Sequence, residues 1–201
     1  MKNLSKFCFV FLFFLFLSNI ASAQLVRFGL GGGLTMFKSP DSYTNSVENN
    51  GLGFSNSYHL TAIAKLNFPL IPITPAAFID YHVLRGSGTF NSSSTETSQN
   101  IFSFGLEGEF SIIPLPLVKP YAVVDISYNK FGDLQVTSPL GSGSVPGMTR
   151  YGAALGVGAE ITALPSIDLD LSLKYQMFNL VGKDSGEPSV NAITLNLILL
   201  F

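Results

Sequence analysis

The segment Asn191–Phe201 reads NAITLNLILLF. Ile193, Leu195, Leu197, Leu199 and Phe201 share one parity, and Ala192, Thr194 and Asn196 share the other. A period of two places these side chains on opposite faces of a β-strand, one face apolar and the other largely polar. The strand ends on an aromatic residue that closes the sequence. Termini of water-soluble domains tend to fray into solvent, so an apolar strand in this place points to a different environment.

The same alternation recurs along the chain. Val26, Phe28, Leu30, Leu34 and Met36 alternate with Arg27, three glycines and Thr35. Tyr58, Leu60, Ala62, Ala64, Leu66 and Phe68 oppose His59, Thr61, Lys65 and Asn67, with Ile63 as an exception. Further strands are expected around Ile79–Val83, Phe102–Ile112, Ala122–Asn129, Tyr151–Ile161 and Ile167–Met177. Eight strands result, and their connections alternate in length. Ser39–Gly53, Gly86–Gln99, Gly132–Gly147 and Val181–Val190 read as long polar loops. Pro69–Thr74, Pro114–Lys119 and Ala163–Ser166 read as short turns. A repeat runs through this layout: Pro75, Pro120 and Pro165 are 45 residues apart, as are Asp80, Asp125 and Asp170. The expected fold is all-β: an eight-stranded antiparallel up-and-down transmembrane β-barrel, with each strand long enough to cross a bilayer at a tilt.

Composition agrees with that placement. Charged residues make up 12% of the 201, and mean hydropathy is +0.38. Yet no apolar run after residue 20 approaches the roughly 18 residues of a membrane helix. Lys2 and Lys6, the apolar stretch Phe7–Leu17 and the Ala21-Ser22-Ala23 site read as a secretory signal, residues 1–23, leaving 24–201 as the barrel domain. Cys8, the one cysteine, falls in that signal, so the mature chain carries no disulfide. Removing Lys2 and Lys6 leaves 9 basic residues of 11 against 13 acidic ones, a balance that argues against nucleic acid as a partner.

Aromatic residues on the apolar parity fall into two belts, as membrane interfaces favour. Tyr58, Phe102, Tyr128, Tyr151 and Tyr175 mark the long-loop ends of the strands, and Phe28, Phe68, Phe110 and Phe201 the short-turn ends. A water-soluble lipocalin-like cup would invert the parity and need far more outward charge.

With the apolar parity toward lipid, the charged parity faces the lumen. Arg27, Lys65 and Lys174 then oppose Asp80, Glu107, Glu109, Asp125, Glu160, Asp168 and Asp170. Buried charges need partners, so a salt-bridged lumen is expected, with Lys65 diagonal to Asp80 and both lysine and arginine reaching across the barrel. The acid surplus raises the alternative of a cation-binding or cation-preferring lumen. His59 and His82 both point inward, one diagonal apart, without a third ligand at suitable spacing, and hydrogen bonds to Thr61 or loop groups are expected of them. No catalytic, cofactor or metal motif emerges, and GLGGG at Gly29–Gly33 lacks the lysine and helix of a phosphate loop.

The closing strand, the terminal Phe201 and the loop asymmetry resemble the small eight-stranded outer-membrane barrels of the OmpA/OmpX type, including porin-like and PorT-like barrel domains. Signal peptides of that group often end in Ala-Gln, as at Ala23-Gln24. The resemblance implies a Gram-negative outer membrane, both termini periplasmic, and contact with outer-membrane lipids and lipopolysaccharide. It implies recognition of Phe201 by the barrel-assembly machinery; the periplasmic domain that OmpA-type proteins add is not expected here, as the sequence stops at Phe201. For function it implies a structural or surface-interaction role through four outer loops. A narrow cation-preferring pore and a lipid-modifying enzyme are the alternatives. The loops hold no recognisable ligand motif.

Overall fold

The computed structural model describes residues 25–68, 71–90, 93–111, 113, 115, 117–164 and 167–201. The signal segment 1–23 and its cleavage site lie outside them, as do Pro69, Pro114 and Pro165 of the short turns.

Eight antiparallel strands close into a barrel: β1 (Val26–Ser39), β2 (Asn56–Leu66), β3 (Ile73–Phe90), β4 (Ser93–Ser111), β5 (Val118–Phe131), β8 (Thr149–Leu164), β9 (Ile167–Val181) and β10 (Asn191–Leu200). Two further strands, β6 (Leu134–Ser138) and β7 (Gly141–Val145), form a hairpin in the third long connection. A short helix, α1 (Asp41–Thr44), and a 3-10 turn at Val47–Asn49 lie in the first. The pairing of β1 with β10 closes the ring, and the Phe28 and Phe201 backbones bond each other at its short-turn end.

Register fixes the barrel's dimensions. Partners followed once around from Arg27 run Lys65, Ala76, Glu107, Asp125, Ala154, Gln176, Ala192 and return to β1 at Phe37, ten residues further on. With a rise of about 3.3 Å and a strand spacing of about 4.8 Å, eight strands at that stagger tilt about 40°. The backbone radius is roughly 8 Å, so inward side chains meet in the middle.

The expected parity holds on every wall. Leu30, Leu60, Leu106, Ile126, Val157 and Leu197 are half or more exposed on the outside, while Lys65, Asp125 and Asp170 are buried within. An apolar exterior over a polar interior is the reverse of a water-soluble barrel and suits hydrocarbon.

Two of the expected long loops prove more ordered than their polarity suggests. Gly86–Gln99 continues the β3–β4 ladder as far as Phe90 and Ser93. Threonine favours strands, and Thr95 and Thr97 are buried there. Thr97 donates to the Leu52 carbonyl of the first loop at 2.5 Å. Gly132–Gly147 contains the β6–β7 hairpin, whose β6 pairs with β4 at Glu96–Ser98.

Candidate functional site in the barrel lumen

Each inward charge sits at an alternate position of a strand whose other face is apolar, so the pleat alone turns it to the lumen. Across the barrel they form two ion-paired groups. In the first, Arg27 on β1 donates to Glu160 at 2.6 Å and to Asp168 at 2.5 Å. Lys65 on β2 reaches Asp170 at 2.6 Å, Glu160 at 3.1 Å, and Glu109. Tyr121 donates its hydroxyl to Asp170 at 2.5 Å, and its ring stands 5.2 Å from the Lys65 ammonium. In the second, Lys174 on β9 pairs with Glu107 and, at 3.4 Å, with Asp125, and lies 5.1 Å from the Phe78 ring.

Asp80 belongs to neither group, which corrects the expected diagonal to Lys65. Lys65 is registered opposite Ala76, whereas Asp80 faces Thr61 and accepts its hydroxyl at 2.7 Å. The longer lysine is free to cross the lumen to β4, β8 and β9 instead. The seven acids outnumber the three cations Arg27, Lys65 and Lys174 on the inward face. One oxygen of Asp125 and the Ser103 hydroxyl are buried without a protein partner.

His59 and His82 are direct register partners with rings 5.1 Å apart. Their shared partner is Thr35, not Thr61: its hydroxyl lies 2.9 Å from Nδ1 of each. His59 Nε2 lies 2.6 Å from the Asn196 oxygen and must donate to it, so its Nδ1 is an acceptor when the ring is neutral. Thr35 then donates to His59 and accepts from His82. Asn196 passes the chain on to Ser172 at 2.9 Å. Thr35 on β1 carried no signal in the sequence beyond its inward parity. Among the described residues no group of three or more His, Cys, Asp or Glu side chains is arranged to hold a metal ion.

Above the histidines lies an apolar plug that sequence reasoning missed. Phe37, Leu84, Ile101, Phe131, Phe178 and Ala192 occupy inward positions near the strand tops, and Phe54 of the first loop folds down among them. Phe178 stacks against Phe37 at 5.7 Å and meets His82 edge-on at 5.1 Å. Tyr43 of α1 covers the plug, 5.6 Å from both Phe37 and Phe54. The available signal was the parity itself: Phe37, Leu84, Ile101, Phe131 and Phe178 are large apolar residues on the polar face at the loop ends. A second apolar cluster, Ile63, Ala76, Phe78, Ile198 and Leu200, fills the half nearer the short turns, where Ile63 had broken the alternation.

Outside the span, the loops are pinned by hydrogen bonds. Burial pushes the Tyr43 hydroxyl up to about 12, against the opposing effect of its bond to Gln99. The Thr89 backbone N–H holds Glu48 below the usual carboxylate range. Arg150 holds Glu187 down at about 2, bonding it at 2.6 Å and Asp184 at 2.7 Å, while Asn179 donates to both Glu187 and the Pro188 carbonyl.

No protein-family profile and no curated protein matches the chain. Solved structures do. Neisserial surface protein A aligns over 87% of this chain and 94% of its own, at 16% identity and a TM-score of 0.56. A major outer membrane protein from Thermus thermophilus aligns over 88% and 99%, at 13% identity and a TM-score of 0.56. Ail, the attachment invasion locus protein of Yersinia pestis, solved with the heparin analogue sucrose octasulfate, aligns over 88% and 97%, at 15% identity and a TM-score of 0.50. At these identities the likeness is one of architecture. The closed ring, its stagger and its inverted polarity together give this chain the fold of the small eight-stranded outer-membrane barrels.

Proposed function

We propose that the protein is a closed outer-membrane barrel whose role is structural or interactive, carried by the surface that its long loops build. The observation that carries this reading is the filled lumen: ion-paired side chains occupy its middle and a packed apolar plug its long-loop end. Eight strands leave little room beyond packed side chains, and here that room is taken twice over. The histidines lie beneath the plug, each 2% exposed, out of reach of a lipid substrate, which favours a non-enzymatic role. In this reading the long loops face outward, both termini lie in the periplasm, and the strand ending at Phe201 is read during assembly.

Two measurements test it. Protein from isolated outer membranes should migrate differently boiled and unboiled, and deleting Phe201 should weaken that shift by removing the β1–β10 closure at Phe28. Planar bilayers should show no conductance steps. Steady cation-selective steps would favour the narrow pore instead, to which the acid surplus and the unpartnered Asp125 oxygen would then contribute.

A further inference from the structure

Outward side chains on three of the four strands rising to the long loops change character at one level; on the fourth, β9, Leu180 and Val181 stay apolar and exposed. On β1 the apolar run ends at Met36 and the next outward residue is Lys38. On β3 it ends at Val83, followed by Arg85, and on β5 at Tyr128, followed by Lys130. On the intervening strands β2, β4 and β8 the matching positions are Asn56, Asn100 and Thr149. All six side chains are exposed, and none is acidic. Register ties them together: Met36 pairs with Asn56, Val83 with Asn100, and Lys130 with Thr149. Among outward strand positions the nearest acid by register is Glu96, diagonal to Arg85 and one outward position beyond its partner Ser98.

These cations are also unused. Arg27, Lys65, Arg150 and Lys174 are ion-paired and Lys183 bonds Ser189. Lys38, Arg85 and Lys130 have no ion-pair partner among the described residues. At the opposite end the outward positions are the apolar Val26, Leu66, Phe110 and Ile161, and the one further cation without an ion pair or hydrogen bond among the described residues, Lys119, stands on the inward parity of β5. A tier of cations and neutral hydrogen-bonding groups immediately above an aromatic belt (Phe104, Tyr128 and Tyr151, with successive rings 5.0 and 5.7 Å apart) meets one interface of the bilayer only.

We infer that Lys38, Arg85 and Lys130 form a docking tier for the phosphate groups of lipid A, with the amides and hydroxyl between them bonding its sugars and the belt below packing against its acyl chains. The inference rests on the membrane-barrel reading above and deepens it, because it assigns the long-loop end to the leaflet that carries phosphorylated glycolipid. Each cation facing an anionic surface strengthens lipid binding about fivefold, so the three together contribute on the order of a hundredfold.

The test uses the full mature protein in neutral detergent micelles, titrated with fluorescent diphosphoryl lipid A, its dephosphorylated form, and phosphatidylglycerol as competitor. Wild type is expected to bind the diphosphoryl form about a hundredfold tighter than the dephosphorylated form. Phosphatidylglycerol at equal charge should compete poorly. K38Q/R85Q/K130Q should lose the preference and K119Q, at the other end of the barrel, should keep it. The single variants should each lose about fivefold, which covers a triple variant that fails to fold. Equal binding of both lipid A forms, an unchanged triple variant, or full competition by phosphatidylglycerol would overturn the assignment. Boiled-against-unboiled mobility, run on the same samples, separates this outcome from failure of the barrel itself, in which no shift appears for wild type.

Discussion

Lys65→Met should be the most damaging single change in the lumen. Lys65 is fully buried and joins carboxylates from three strands: Glu109, Glu160 at 3.1 Å and Asp170 at 2.6 Å. Its loss does not strand all three. Glu160 keeps Arg27 at 2.6 Å and Asp170 keeps the Tyr121 hydroxyl at 2.5 Å. Glu109, only 3% exposed, is left without a donor. Breaking a buried pair so that one charge is orphaned destabilises by about 3–5 kcal/mol. For a chain of this size that corresponds to a fall on the order of 10 °C in the unfolding midpoint. Lys65→Met/Glu109→Gln removes the orphan and should recover most of the loss, because replacing both members of a buried pair is often near neutral. Glu109→Gln alone should lose about 1 kcal/mol, since Asp170 and Glu160 still hold the lysine. Denaturant titration in detergent, followed by the mobility of the folded form, gives all four corners of the cycle. A coupling below about 0.5 kcal/mol, or a Lys65→Met variant as stable as wild type, would refute the claim that this ion pair organises the lumen.

Phe178→Ala should lower stability by about 3–5 kcal/mol in the same titration, as it empties the centre of the plug. Bilayers containing it should still be silent, because the ion-paired layer lies beneath; open steps would place the only seal in the plug. Gly158→Val should destabilise by about 1–3 kcal/mol, since a Cβ there would stand 2.3 Å from the Tyr121 ring, and the loss should shrink when combined with Tyr121→Ala. The fourth loop should loosen in acid. Arg150 holds the folded Glu187 at about 2, below its unfolded value near 4.5, so the clasp contributes fully above that unfolded value and is lost as pH falls through about 2. Amide exchange in the loop should therefore quicken with acid beyond its intrinsic pH dependence, and Glu187→Gln should quicken it at neutral pH and remove that extra response.

The architecture was open to reading because a barrel wall obeys one rule, period two, repeated eight times. Parity told Lys174 and Asp125 from Leu173 and Val124 without any knowledge of the partner strand. Partner choice was not open in the same way. Lys65 and Asp80 looked like diagonal neighbours because a turn length had to be assumed, and a shift of a few residues across Pro69–Thr74 gave Asp80 to Thr61 instead. Contacts across the lumen depend on the stagger of ten residues, a property of the closed ring that no single strand encodes. The plug was hidden for a further reason. Ile101 and Phe178 break the local alternation, and a break reads as noise until another segment, here the first loop with Phe54, arrives to cover it.

The plug also bears on what the lumen is for. A barrel that only needed closing could do so with ion pairs alone, yet this one places its apolar layer at the long-loop end and ties it to loop residues. Phe54, Tyr43 and Leu52 pack on the plug, while Thr97 and Tyr43 bond across to neighbouring connections. The side chains that block the lumen are therefore the ones that hold the loop surface in shape. Sealing and presentation become one structural task, and changes at Phe178 should be felt in the first loop, at Tyr43, before they are felt at the short turns.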